Sequence, residues 1–460
     1  MYTLDFNKPI HVHFIAIGGI SMSGLAEILL DAGFTISGSD SKESDLTRHL
    51  ADMGAEVFIG QRASNIIPGI DLVVYSAAIK EDNPEYSEAV KQGLPIISRA
   101  ELLGQIMKNY KTSIAVSGTH GKTTTTSMIS EILMRNEYDP TITVGGILQS
   151  IGGNLRVGKS QYFLTEACEY TNSFLSFFPN VSIILNIEED HMDFFKDIND
   201  IRNSFREFAK LLPKDGCLII NADIDNYTEI TKDLECKVLT FGLDNDCDFT
   251  AKDITYDDKA CGSYTLLHND KAYEERVELG VPGSHNIYNS LAAMAFASYI
   301  GLDLSKAISG IKPFTGADRR FQLKGKLGGI TIVDDYAHHP TEIKATLNAA
   351  KNYPHKRIIC VFQPHTYTRT HAFLKDFAKA LSLADVVVLS DIYAAREKNT
   401  IGVSSTDILD LLQSDGVESY YFPRFDEIEN FILQNCCDGD LLITMGAGDI
   451  VNIGNRILGL

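Results

Sequence analysis

Residues 114 to 126, IAVSGTHGKTTTT, constrain the fold more than any other stretch. An apolar, β-favouring run leads into glycines, and the glycines into Lys122 and the amphipathic segment TTTTSMISEILM. This reads as strand, loop and helix. Backbone N–H groups and a helix N-terminus then face an anion, and a lysine adds a point charge. The usual phosphate loop spaces its glycines by roughly four residues. Here only Thr119 and His120 separate Gly118 from Gly121. Lys122 is expected at the β- and γ-phosphates of a nucleotide, and the Thr123 hydroxyl on Mg²⁺. The competing reading is a glycine-rich turn with a chance Gly-Lys-Thr, and the flanking strand and helix signals weigh against it.

Around this unit the chain alternates strand and helix signals, which predicts parallel, doubly wound α/β sheets. HVHFIAI, TISGSD, DLVVYSAAI and PIISRA are strands before it. YFLTEA, VSIILNI and CLIINAD are strands after it, and ITIVDDYA, RIICVFQPH, ADVVVLSDIY and DLLITMGAGDI are strands near the end. A polar, β-rich stretch over 246–280 breaks the rhythm and reads as an antiparallel excursion. Three α/β domains are expected, over 1–106, 107–312 and 313–460. The first and third are Rossmann-like, and the central one is a P-loop ATPase-like domain. The 460 residues carry a net charge of −20, which argues against non-specific nucleic-acid binding. No apolar run is long enough for a membrane span. The opening MYTLDFNKPIHVHF has no signal-peptide pattern, and no C-x-x-C suggests zinc or a disulfide framework. A reducing cytoplasm is expected.

Carboxylates for an ATP–Mg²⁺ site stand at two strand ends: Glu166 in YFLTEA, and NIEEDHMD with Glu188, Glu189, Asp190, His191 and Asp193. Mg²⁺ prefers oxygen ligands. An acidic loop alone is usually a solvated turn; two of them after strands beside a phosphate loop are not. The N-terminal AIGGISMSG fails as a dinucleotide fingerprint, because Ala16 and Ser21 stand where glycines belong. It still suits a diphosphate at a helix N-terminus, with Asp40 where a ribose-binding acid is expected. Tight strand–helix packing is the structural alternative. His338 and His339 resemble metal ligands, but no supporting Cys or acid spacing accompanies them. Arg319 and Arg320 lie at the second domain boundary, where an arginine could reach phosphates across a closing cleft.

GTHGKTTT, EACEY, NIEEDHMD, HNIYNS, DRRF, DDYAHHPTE and FQPHTYTRT together resemble the Mur ligase family, in order and over the whole chain. The family comprises ATP-dependent amide ligases of bacterial peptidoglycan synthesis, and the shortened loop is its form. HFIAIGGISMSGLAE, SGSD and DDYAHHPTE look like the versions of the member that takes UDP-N-acetylmuramate and L-alanine. The resemblance implies that Gly118–Thr124 binds phosphates, with Lys122, Glu166, His191, His338 and Arg369 catalytic. Thr123, Glu166 and His191 would hold Mg²⁺. Asn286 and Asn289 would contact adenine, Arg320 the phosphates and Asp335 the ATP ribose. Gly18, Gly19, Ser21, Ser23, Gly24 and Asp40 would hold the UDP-sugar. Tyr336, His338, His365 and Arg369 would face the amino acid. Members adding later amino acids carry a carbamylated lysine where this chain has Ser204 or Phe205. Thr366 replaces an arginine the family often has after Gln-Pro-His. A monomer or homodimer is expected. The alternatives are a sister ligase attaching a recycled tripeptide to the same UDP-sugar, a nicotinamide oxidoreductase built on the first glycines, and a non-catalytic nucleotide-binding module.

Overall fold

The computed structural model describes residues 2–395 and 397–460. Its strands form three sheets, and the chain finishes one before starting the next. The first has five parallel strands in the order Glu56–Ile59, Thr35–Asp40, His11–Ile15, Leu72–Tyr75, Ile96–Ser98. The chain reverses direction across this sheet beside His11–Ile15, the strand that feeds the first glycine loop. In open α/β sheets ligands bind at such a switch point, beyond the strands' carboxyl ends.

The second sheet has ten strands. Its parallel core runs Lys237–Phe241, Cys217–Asn221, Val181–Ile184, Thr112–Ser117, Tyr162–Ala167, Thr141–Leu148. Val181–Ile184 and Cys217–Asn221 are buried throughout, as strands covered on both faces must be. The antiparallel excursion is present, as Phe249–Tyr256, Cys261–His268 and Lys271–Pro282. It extends the edge of this sheet, because Phe249 pairs in parallel with Phe241. The third sheet has six strands, ordered Gln322–Leu327, Ile330–Asp335, Leu441–Met445, Ile358–Phe362, Val386–Leu389, Glu418–Tyr421. Only the first of these pairings is antiparallel. Thr141–Leu148, with its Gly145–Gly146 pair, and the short, part-exposed Glu56–Ile59 and Glu418–Tyr421 lack the apolar runs that announced the other strands.

The proposed boundary at 312/313 falls just after the helix Leu304–Ile311, and the one at 106/107 inside the helix Arg99–Met107. The second matters for packing. One hydrophobic cluster joins Val12, Leu25 and Leu102 of the first unit to Phe174, Phe205 and Phe208 of the second. The third unit keeps its own cores on the two faces of its sheet. Among the described residues no helix is long and apolar enough to cross a membrane.

Candidate active site

The phosphate loop lies between Thr112–Ser117 and the helix Lys122–Arg135. That helix starts at Gly121 with no side-chain cap and no acidic residue in its first turn. Its first N–H groups are therefore left for a ligand. Gly118 and Gly121 have φ of 140° and 83°, and a Cβ on Gly121 would stand 2.5 Å from Asn289 Oδ1. Only glycine fits there without strain. His120 and Asn186 lock the loop reciprocally: His120 N–H donates to Asn186 Oδ1 (2.7 Å), and Asn186 Nδ2 to His120 C=O (3.0 Å). Thr119 Oγ1 accepts from Glu188 N–H at 2.9 Å, which ties the loop to the acidic segment.

Lys122 folds back over the loop. Its ammonium donates to the carbonyls of Gly118 and Thr119 (3.1 Å for the latter) and to Glu169 Oε2 at 3.2 Å. Burial works to lower its pKa, but Glu169, with Glu166 further off, outweighs burial and raises it. The lysine is a fixed cation. Glu169 belongs to the quoted EACEY, but spacing gave no hint that its carboxylate, 2% exposed, holds this lysine. Glu166 points at the same region. Its Oε1 accepts from Gly145 N–H at 2.6 Å, and that is its one hydrogen bond among the described residues. Thr123 Oγ1 accepts from Arg320 Nη2 at 3.3 Å across the boundary between the second and third units.

The adjacent arginines divide their work. Arg319 is structural: it holds Asp334 at 3.0 Å and the carbonyls of Gly446 and Gly448. Among the described residues Arg320 has no carboxylate within ion-pair distance, and its Nη2 reaches Thr123, directly after the phosphate-loop lysine. One cavity between these units is lined by His120, Gly121, Thr124, Asn286, Asn289, Arg320 and Asp335, with Glu188 and Glu342. Asn286 Nδ2 donates to Pro282 C=O at 2.8 Å, and Asn289 Nδ2 to Asn286 Oδ1 at 2.9 Å. Asp335 accepts from the N–H groups of Phe321 (2.8 Å) and Ala337 (2.7 Å). Burial nevertheless pushes its pKa up to about 6, against the pull of Arg320. His120 lies 3.4 Å from Glu188 and 3.2 Å from Glu342 of the third unit. Burial opposes its charge, but the two carboxylates prevail and raise its pKa to about 9. Glu342, which the sequence reading passed over, thus joins the phosphate loop to the third unit.

A second cavity is lined by His191, His365, Thr366 and Arg369 with Asp190. Arg369 donates to Asp190 Oδ1 through Nε (3.1 Å) and Nη2 (2.8 Å), and through Nη1 to His365 Nδ1 at 3.1 Å. Burial works to raise the Asp190 pKa, and Arg369 overrides it and lowers it strongly. The arginine expected to face an amino acid therefore also bridges two units. His191 stands in the left-handed region at φ 54°, stacked on Tyr170 at 4.5 Å. Thr366 has φ 65°, an unusual setting for a β-branched residue.

The histidine pair splits as well. His339 Nδ1 accepts from Thr341 N–H, capping the helix Pro340–Lys351, and its Nε2 donates to Glu189 C=O at 2.9 Å. It falls within ligand range of His120 and Glu188, but both its ring nitrogens are taken. His338 Nδ1 donates to Tyr336 C=O at 3.0 Å, which leaves Nε2 an acceptor with no hydrogen-bond partner among the described residues. His365 is the opposite tautomer, since its Nδ1 accepts from Arg369. Burial, aided by Arg369, lowers both pKa values to about 4. Tyr336 lies under Arg319 and Arg320, at 4.8 Å and 5.3 Å from its ring centre.

In the first unit Asp40 Oδ2 accepts from Gly18 N–H at 3.0 Å, and a Cβ on Gly18 would stand 2.9 Å from that oxygen. Gly19 precedes a helix that lacks a side-chain cap. Ser21 accepts from Arg99, whereas buried Ser23 spends its hydroxyl on Ile20 C=O. Gly24 packs on Leu155 of the second unit.

Three family models match in series: "Mur ligase family, catalytic domain" over 11–111, "Mur ligase middle domain" over 116–297, and "Mur ligase, glutamate ligase domain" over 319–448. The chain belongs to the Mur ligase family. The UDP-N-acetylmuramate–L-alanine ligase of Agathobacter rectalis is 64% identical to this Mur ligase, with 100% of each chain covered. The enzyme of that name from Caldanaerobacter subterraneus is 53% identical, over 99% of this chain and 98% of its own. Among solved structures, the UDP-N-acetylmuramate-alanine ligase of Thermotoga maritima superposes with TM-score 0.80 at 31% identity, covering 98% of both chains. A murein peptide ligase from Psychrobacter arcticus gives TM-score 0.72 at 26% identity, also over 98% of both. The place of the carbamylated lysine holds buried Ser204, bonded to Asn172, and core residue Phe205. Lys210 pairs with Glu207 on the surface of this Mur ligase.

Proposed function

We propose that this Mur ligase joins L-alanine to the lactyl carboxylate of UDP-N-acetylmuramate at the expense of ATP. The reading is carried by the end-to-end match, at 64% identity, to a relative of that name. A carboxylate is a poor electrophile. Its oxygen attacks the γ-phosphorus, ADP leaves, and an acyl phosphate results. The amine of alanine then attacks the acyl carbon, and phosphate leaves from the tetrahedral intermediate to give the amide. The protein positions the reactants and offsets charge. Lys122, the uncapped helix start and Arg320 take the phosphates. Arg369 and His365 take the amino acid. His338 Nε2, an unprotonated acceptor at neutral pH, accepts the proton that the amine must lose.

The oxygen donors fit Mg²⁺ better than a soft metal: among the described residues Glu166 has one carboxylate oxygen without a hydrogen bond, and Thr123, next to Lys122 in sequence, offers a hydroxyl. Those two, with His191 through water, would hold the ion, which would neutralise charge on the transferred phosphoryl group. All eight cysteines are unpaired, as suits a cytoplasmic enzyme. Phosphate release should require ATP, UDP-N-acetylmuramate and L-alanine together. Release supported by the tripeptide in place of L-alanine would point to the sister ligase, and release without any UDP-sugar would overturn both.

A further inference from the structure

The cavity between the first and second sheets is lined by a cation, Arg99, that has no carboxylate within ion-pair distance among the described residues. Arg99 is the first residue of the helix Arg99–Met107, directly after the capping Ser98. Its Nη1 donates to Ser21 Oγ at 3.0 Å, across to the first turn of the helix Ile20–Asp31. Among the described residues that is its one hydrogen bond, and no carboxylate lies within ion-pair distance. Most other arginines of this acidic chain do hold a carboxylate, Arg357 and Arg369 among them. Burial weighs on the Arg99 charge and lowers its pKa. A half-buried guanidinium left unpaired is costly unless a ligand completes it.

The surroundings say which ligand. On the side of the first unit the cavity is lined by Ser21 and Gly24, in the helix that starts uncapped after Gly19. On the side of the second unit it is lined by Gly145 and Glu166, the carboxylate whose charge acts on Lys122. Among the residues lining it, Arg99 is the one cation. A molecule filling it would carry negative charge near Ser21 and present its far end to the phosphate-transfer centre. We propose that Arg99 binds the diphosphate of the nucleotide sugar, at the phosphate next to the sugar, and thereby aims the lactyl carboxylate at Glu166 and Lys122. This rests on the UDP-sugar reading above and assigns it a residue. Ser21 holds the guanidinium in place before the ligand arrives, so less side-chain freedom is lost on binding.

The test uses the full-length enzyme with each substrate varied. Arg99→Ala should raise the KM for UDP-N-acetylmuramate about tenfold to a hundredfold, the loss of one or two charge-assisted hydrogen bonds. The kcat should fall with it, because the lactyl carboxylate is no longer aimed, whereas the KM values for ATP and L-alanine should stay near wild type. Arg99→Lys should recover part of the loss and, should the alanine variant fail to fold, carries the test itself. UDP-N-acetylglucosamine, with the same diphosphate and no lactyl carboxylate, serves as the competing probe. Its Ki should rise by the same factor as the KM. A Ki that stays at wild type while the KM rises would put the guanidinium on the lactyl carboxylate and overturn the assignment. Unchanged KM and Ki in an enzyme that needs the UDP-sugar would overturn this inference alone. A wild-type enzyme indifferent to UDP-N-acetylmuramate would overturn the functional reading, and this inference with it.

Discussion

Lys122 and Arg369 each have a protein partner where a substrate is also expected, and this governs what their substitution reports. Removing Lys122 deletes the proposed phosphate contact and also strands Glu169, almost wholly buried. Lys122→Ala should abolish phosphate release and lower stability by about 3 kcal/mol, the scale for breaking a buried pair by one partner. Adding Glu169→Gln should restore most of the melting temperature and none of the turnover. Recovery of turnover in the double variant would remove Lys122 from the chemistry. Arg369 binds Asp190 through two N–H groups, so a planar fork is already in use. Arg369→Lys should raise the KM for L-alanine on the order of tenfold to a hundredfold, because an ammonium cannot reproduce the fork. Asp190→Asn separates recognition from bridging. If it raises the alanine KM as much as Arg369→Lys does, the arginine acts through the bridge and not on the amino acid. Motif order brought these residues into view. The choice of Arg320 over Arg319, and of His338 over His339, came from the family resemblance and not from residue type, because neighbours in sequence differ only in what packs against them.

The phosphate loop is the element whose behaviour should depend most on pH. His120 stands between Glu188 of the second unit and Glu342 of the third, with the His339 ring 4.9 Å away and Arg320 beside Glu342. Its pKa rises from 6.5 to about 9 on folding. The contribution is therefore complete below pH 6.5 and is lost as pH climbs through 9. A shift of that size corresponds to about 3 kcal/mol. The neutral histidines act in the other window. His338 and His365, lowered to about 4, contribute above pH 6.5 and lose it as pH falls towards 4. Denaturant unfolding of the wild type should show stability falling between pH 6.5 and 9, and His120→Gln should flatten that slope. An equally steep slope in the variant would assign the effect to other groups.

At the scale of the molecule the cores do not divide as the sheets do. The helix Arg99–Met107 packs so tightly on the second unit that a Cβ on Gly104 would stand 2.0 Å from the Ser176 carbonyl oxygen. Leu102, Leu103, Ile106 and Met107 share their cluster with Phe174 and Phe177. The third unit has no such debt, since its clusters draw only on residues from 321 onward. A fragment of residues 313–460 should therefore melt cooperatively, followed by circular dichroism, whereas 1–106 should aggregate or bind an apolar dye. A cooperatively melting, dye-free 1–106 fragment would show that the shared cluster is dispensable to the first unit.

By itself the sequence determined the strand–glycine–helix loops, the parallel α/β sheets and the antiparallel excursion. Each of these is written in contiguous residues, as an apolar period, a glycine that permits a left-handed turn, or a helix start without a cap. The tertiary structure alone decided which charges meet. Glu169 on Lys122, Glu342 on His120, Asp190 on Arg369 and the unpaired Arg99 join segments far apart in the chain. Residue type carries the charge, but burial and the neighbouring partner set its protonation, its freedom and its role.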